Sequence, residues 1–234
     1  MEDRLIAGEG QGPGRGLKAI TGPDDFAEAF KVPRETIHRL MRYDELLHAW
    51  QARQNLVSAA SLAQVWDRHF ADSAQILRLA PKATTWLDLG SGAGFPGLVI
   101  AILQANHANF RMHLVESTGK KCAFLAEVAR ATSAPVEIHC MRIEELTESA
   151  TSPKPEIVTA RALAPLPRLL ELAAPWFGPG VRGLFMKGRD AALEIEAAKQ
   201  RFAFTSRLYP SLTAEASSIV EIGDLATRRK AKMR

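Results

Sequence analysis

With 234 residues, 47% of them hydrophobic and 24% charged, the chain has the size of one α/β domain with an appendage and is too short for two catalytic domains. Its longest apolar runs, around Leu98–Leu103 and Leu169–Phe177, fall far short of a bilayer span, and the N-terminus lacks a charged-then-apolar leader, so a cytoplasmic protein with no membrane role is predicted. The net charge of +4 resides in the basic segment 224–234, where Arg228, Arg229, Lys230, Lys232 and Arg234 face only Asp224; this segment is either a phosphate-attracting tail or a solvated end.

In chain order, residues 1–22, with Gly8, Gly10, Gly12, Pro13, Gly14 and Gly16, bury too little apolar surface to order themselves and are predicted to be flexible. From Pro23 onward, Ile37, Leu40, Met41, Leu46, Leu47 and Trp50 recur on one helical face. Pro23 and Pro33 stand near helix starts and Ser61 is a candidate N-cap, which gives a helical appendage over 23–80. Within it Trp50 and Trp66 are expected as core anchors. Asn55 is placed to end a helix or to open a substrate-facing loop. His69 and Asp72, three apart beside Arg68, are placed to face one another, either pinning the appendage to the following domain or meeting substrate.

From residue 81 to 223 strands and helices alternate. Strands are predicted at Thr84–Leu89, Arg111–Glu116, Val136–Met141, Glu156–Ala160 and Val181–Lys187, with helices at Pro96–Gln104, Gly119–Thr132, Pro165–Phe177 and Ala191–Arg201. Such alternation implies a mainly parallel sheet covered on both faces. Two further strands, Thr205–Tyr209 and Ser218–Ile222, have no long helix between them and predict an antiparallel hairpin at the end of the sheet. Cys122 and Cys140 fall in a predicted helix and strand and are expected as buried thiols. No zinc-spaced cluster or Ser/His/Asp signature appears, so no metal is expected.

The chemistry concentrates after the first strand, where Leu87-Asp88-Leu89-Gly90-Ser91-Gly92-Ala93-Gly94-Phe95-Pro96-Gly97 joins strand to helix. Glycines at alternate positions let the backbone pass close under a bulky ligand, and Glu116 at the end of the next strand is placed to accept hydrogen bonds from both hydroxyls of a ribose. The glycine spacing also fits a dinucleotide site and hence an NAD-binding oxidoreductase. Its register, with Asp88 and Gly90 coming first, suits a ligand with an ammonium group and no phosphate, which describes S-adenosylmethionine; Asp88 either contacts that ligand or caps the loop. With the terminal hairpin, the layout is that of a Rossmann-like class I S-adenosylmethionine-dependent methyltransferase.

The ordered segments Asn55-Leu56-Val57-Ser58, Arg68-His69-Phe70-Ala71-Asp72-Ser73, Leu87 to Gly97, Glu116-Ser117 with Gly119-Lys120-Lys121, Arg142-Ile143-Glu144-Glu145, Thr159-Ala160-Arg161-Ala162 and Met186-Lys187-Gly188 together resemble the small-subunit ribosomal RNA methyltransferase G family, also called glucose-inhibited division protein B. That resemblance implies methyl transfer from S-adenosylmethionine to N7 of guanine 527 in the 530 loop of 16S ribosomal RNA, on free RNA or the small ribosomal subunit. It further implies Gly90 and Phe95 as cofactor contacts in the loop, where Asp88, Ser91, Gly92 and Gly94 are further candidates beside Glu116 at the ribose, and Ile143 with Glu144 at the adenine. Arg161 matches the family's arginine at the end of the fourth strand, and Asn55, Arg68, His69 and Lys187 are the candidates for the RNA side. Ser91, Ala93, Phe95 and Glu116 stand where relatives often have Thr, Pro, Leu and Asp, changes of size within similar chemistry.

Guanine N7 has an in-plane lone pair and no proton, so no general base is expected. This agrees with the absence of an acid or amide followed by Pro-Pro-aromatic after the fourth strand, where the sequence reads Thr159-Ala160-Arg161-Ala162-Leu163-Ala164-Pro165. Arg161 is expected to grip the methionine carboxylate or a phosphate, or to form a structural ion pair. Lys187 is expected at the ligand-binding rim of the sheet, on phosphate or in solvent. A methyltransferase of the same fold acting on another substrate, and a non-catalytic RNA-binding module, remain as alternatives.

Overall fold

A computed structural model describes residues 17–227. Seven strands form one sheet in the order β3-β2-β1-β4-β5-β7-β6. β1 (Thr85–Leu89), β2 (Arg111–Val115), β3 (Val136–His139), β4 (Ile157–Arg161) and β5 (Arg182–Lys187) run parallel. β6 (Phe202–Pro210) and β7 (Ser218–Thr227) close the sheet as an antiparallel hairpin, with β7 on β5. The hairpin strands run longer than the predicted segments, because β6 is an outer strand whose mostly exposed residues carry little apolar signal. β7 extends into the predicted tail as far as Thr227; Arg228–Arg234 lie outside the described residues, as do Gly8–Gly16.

Before the sheet stand α1 (Pro23–Phe30), α2 (Arg34–Gln51), the short α3 (Ala59–Leu62), a π-helical turn at Trp66–Ala71, α4 (Asp72–Ala74) and a 3-10 turn at Gln75–Leu79. Around the sheet come α5 (Gly97–Leu103), α6 (Gly119–Thr132), α7 (Ile143–Glu148), α8 (Leu166–Ala173) and α9 (Ala191–Lys199). The short α7 was not expected, since only Ile143 and Leu146 mark a buried face; Glu145 caps it by accepting the Arg142 N–H at 3.1 Å.

Each face of the sheet carries its own core. α7, α8 and α9 cover one, around Leu87, Val158, Leu170 and Phe185. The other joins α5 and α6 to the N-terminal helices through Leu40, Tyr43, Phe70, Leu98 and Phe124. The N-terminal helices are therefore part of one core with the sheet, and they reach the glycine loop itself: the buried Tyr43 hydroxyl donates to the Ala93 carbonyl, and its ring stacks 5.4 Å from Phe95. Trp50 and Trp66 bridge this layer, donating to Glu127 at 2.9 Å and Asp44 at 3.1 Å.

Several local expectations are corrected. Residues 17–22, expected to lack order, pack on the fold: the Leu17 N–H donates to Leu212 O at 2.8 Å, and buried Ile20 donates its N–H to Asp67 at 3.0 Å. Ser58, not Ser61, caps α3, accepting the Ser61 N–H at 3.2 Å. Met41 is 41% exposed, because α2 buries the stripe of Ile37, Leu40, Tyr43 and Leu47. Cys122 is buried but Cys140 is exposed, since β3 stops at His139 and the chain turns outward before α7. Among the described residues no helix is long and apolar enough to cross a membrane.

Candidate functional site

At the carboxyl ends of the parallel strands two cavities open side by side, of about 630 Å³ and about 610 Å³, divided by a wall common to both: Arg161, Ala162 and Leu163. Ligands bind at this end of open α/β sheets because the loops there diverge between helices on opposite faces. Ala162 takes φ of 53°, a left-handed conformation that a non-glycine residue adopts at a cost.

The first cavity is walled by Gly90, Ser91, Gly92, Phe95, Glu116, Ile143 and Glu144, all sequence candidates, together with Arg161. Glycine is required in the loop by conformation, with φ of 68° at Gly90 and 57° at Gly92. A Cβ on Gly92 would meet nothing nearer than Gly90 O at 3.8 Å, so the loop leaves open space above it. Glu116 is nearly buried; its Oε2 accepts the Gly92 N–H at 3.0 Å and its Oε1 the Thr118 N–H at 2.8 Å. Each oxygen keeps a second lone pair, so the carboxylate is oriented by backbone and still able to accept two hydroxyls. Ile143 is an apolar wall, whereas Glu144 is exposed and paired to Arg168 at 3.0 Å. An apolar slot, an oriented acid and a bare glycine backbone fit an adenosine bearing a short polar chain.

Two loop candidates stand behind this wall. Asp88 is fully buried and holds the start of α5, its Oδ2 accepting the Gly97 N–H at 3.1 Å while Oδ1 has no partner. Burial pushes its carboxyl up to about 7. Gly94, at φ of 97°, makes room for the N-terminal helices: a Cβ there would lie 2.6 Å from the Tyr43 hydroxyl and 2.5 Å from Leu98 Cδ1. Sequence reasoning overlooked Leu56, Val57, Thr118, Lys121 and Met141 on this wall; of these, Lys121 had a signal in the Gly119-Lys120-Lys121 run.

Asp88 gives a pH-dependent stability. The folded protein holds a proton on this carboxyl that the unfolded chain releases near its ordinary value of 3.8, so the contribution is complete below that value and is lost as pH rises to about 7. Asp88→Asn removes it. The stability of Asp88→Asn relative to wild type is expected to improve between about pH 5 and about pH 7.5 in urea denaturation; a difference that does not change with pH contradicts this.

The second cavity holds Arg68, His69, Asp72, Gln75, Lys187, Glu194 and Ser211 beside the common wall. The π-helical turn and the start of α4 bring Arg68, His69 and Asp72 onto Arg161, whose Nη1 donates to Arg68 O at 3.1 Å and Asp72 Oδ2 at 3.3 Å, while Nη2 donates to His69 Nδ1. Burial pushes the Asp72 carboxyl up, and the facing Arg161 pulls it back. His69 is buried and stacked 4.4 Å from Phe95; burial, then Arg161 and Arg68, hold its pKa down to about 3. His69 is thus a neutral acceptor locked under the loop, and its Nε2 has no partner. This packing is the pinning role that the sequence offered as one of two readings, and the residue also lines the second cavity.

Lys187 is not a solvated lysine: it pairs with Glu194 at 2.7 Å and donates to Ala164 O at 2.6 Å. Asn55 lies exposed on the loop before Leu56, and Arg68 is exposed at the rim. Gln75 and Ser211, which both bond Asp72, were not foreseen, for Ser211 sits in the β6–β7 connection with no sequence signature.

A family model for rRNA small subunit methyltransferase G matches residues 36–219. The chain belongs to the rRNA small subunit methyltransferase G family. The ribosomal RNA small subunit methyltransferase G of Parvibaculum lavamentivorans is 45% identical over 207 residues, covering 88% of this chain and 91% of the relative. That of Methylorubrum extorquens is 49% identical over 195 residues, covering 83% and 92%. The crystal structure of a Bacillus cereus O-methyltransferase in complex with SAH has a TM-score of 0.56 at 13% identity, covering 86% of this chain and 96% of that one, which shows that methyltransferase G shares the class I methyltransferase fold. Membership sets aside the dinucleotide reading of the glycine loop.

In this methyltransferase G chain, Glu116→Ala is expected to weaken S-adenosylmethionine by about 1.5 to 3 kcal/mol, the range for hydrogen bonds to a charged group, read by calorimetry. An unchanged dissociation constant contradicts the ribose assignment.

Proposed function

We propose that this enzyme transfers the methyl group of S-adenosylmethionine to N7 of guanine 527 in the 530 loop of 16S ribosomal RNA, with free RNA or the small ribosomal subunit as its partner. The observation that carries the reading is the pair of cavities sharing the Arg161–Leu163 wall: one suits the adenosine and methionine of the cofactor, the other a flipped base. S-adenosylmethionine supplies a sulfonium methyl. The chain supplies position, which is worth about 7 to 11 kcal/mol at best when reacting atoms are held in line.

The second cavity suits a guanine that becomes cationic on methylation. Its two inner cations are engaged, Arg161 by Asp72 and Lys187 by Glu194, while Arg68 is exposed at the rim, and the two carboxylates add a favourable field around the product. His69 is neutral, buried and committed to Arg161, in keeping with a reaction that removes no proton. Exposed Arg68 at the rim suits the phosphate beside the flipped base. Arg161, with further guanidinium donors beyond those engaged, positions the ligands from the common wall.

The test is mass mapping of 7-methylguanine in small-subunit RNA from cells with and without this protein. Loss of the modification at position 527 alone is expected, and its persistence contradicts the proposal. Stabilisation by S-adenosylhomocysteine but not by NAD is the expected companion result.

A further inference from the structure

β2 and β3 carry a cluster of side chains that methyl transfer does not use. His113 is in register with Glu137, and His139 lies two residues further along β3, so the alternation of the strands puts all three on one face at the outer edge of the sheet. His113 Nδ1 is 3.0 Å from His139 Nε2 and 3.5 Å from Glu137 Oε2; His139 Nε2 is 3.8 Å from Glu137 Oε1. An ion with tetrahedral bonds of about 2.0 to 2.2 Å holds its donor atoms roughly 3.3 to 3.6 Å apart, and this triangle brackets that spacing.

We propose that His113, Glu137 and His139 bind a divalent first-row transition metal, with zinc the fitting occupant and the fourth position open to solvent. Two imidazoles and one carboxylate suit zinc-class ions and not magnesium or calcium, which take oxygen ligands. Burial lowers the pKa of both histidines against the pull of Glu137. Glu137 is about half exposed while His139 is 5% exposed, so an ion has both an entry side and a desolvated seat. The metal would clamp β2 to β3. These strands lead to Glu116 and to Ile143 on the wall of the first cavity, so the clamp would brace two sides of the cofactor site from behind.

The test is titration of the tag-free full chain with Co²⁺, a spectroscopic stand-in for zinc. One equivalent is expected to give the visible absorption of tetrahedral Co²⁺, displaced by Zn²⁺. Glu137→Gln alters a half-exposed side chain and is expected to weaken Co²⁺ by at least the roughly 10- to 100-fold that outer-sphere partners alone are worth. His113→Asn and His139→Asn are expected to abolish the band while S-adenosylhomocysteine still binds, which verifies the fold. No stoichiometric band with wild type, or a band of equal affinity in Glu137→Gln, overturns the proposal.

Discussion

Arg161→Ala is expected to lower single-turnover methyl transfer by about 100-fold or more, the cost of small misplacements of reacting groups, and to destabilise the fold by about 3 kcal/mol, the lower end for breaking a buried ion pair. The lower end applies because Arg161 and Asp72 keep 20% and 17% of their side-chain surface, and Asp72 retains bonds from Gln75, Ser211 and Thr213. Arg161→Lys separates the two effects. An ammonium restores the charge facing Asp72 but cannot reach Arg68 O, Asp72 and His69 with the planar fork of the guanidinium. Most of the stability is therefore expected to return and most of the activity is not. Full activity in Arg161→Lys, measured with chemical denaturation on the same preparations, contradicts a positioning role.

Gly94→Ala is expected to be among the most destabilising single-methyl changes in the chain. At φ of 97° an alanine is strained, by about 1 to 3 kcal/mol. Its methyl would lie 2.6 Å from the Tyr43 hydroxyl and 2.5 Å from Leu98 Cδ1, and crowding a packed core costs about 1 to 3 kcal/mol more. Tyr43 cannot turn aside, for it is buried and bound to Ala93 O. Gly92→Ala is the contrast: its methyl enters open space in the first cavity, so it is expected to weaken the cofactor while costing less stability. Urea denaturation and calorimetry on both variants measure this. Equal stability of the two contradicts the division of labour between these glycines.

That division shows what the sequence could convey. Strand and helix order was legible because β1, β4 and β5 are short, mostly apolar runs and β2 and β3 alternate apolar with polar residues, and the hairpin was marked by the lack of a helix between its strands. The acid at the end of β2 was legible from its register after the glycine loop. Spacing alone does not separate Gly92, which opens the cavity, from Gly94, which admits Tyr43 from 51 residues earlier. The same holds for His69. Its neutral state follows first from burial and then from Arg161, 92 residues away, and no local pattern encodes that. For Asp88 and Lys187 the sequence left two readings each, and their partners Gly97 and Glu194 lie 9 and 7 residues on in the chain, set by packing that no spacing announces. The His113–Glu137–His139 cluster left one visible trace, two ligating residues spaced by two on a strand, but its third member comes from the neighbouring strand.

The claim that joins these observations is catalysis by placement, with no side chain gaining or losing a proton in the methyl-transfer step. The most direct measurement is the single-turnover rate of methyl transfer at saturating S-adenosylmethionine and RNA from about pH 6 to about pH 9, made in parallel on wild type and Asp88→Asn so that the buried carboxyl of Asp88 is not mistaken for a base. The account predicts a flat profile in both proteins. A rate that rises tenfold per pH unit in both would reveal a general base and contradict it.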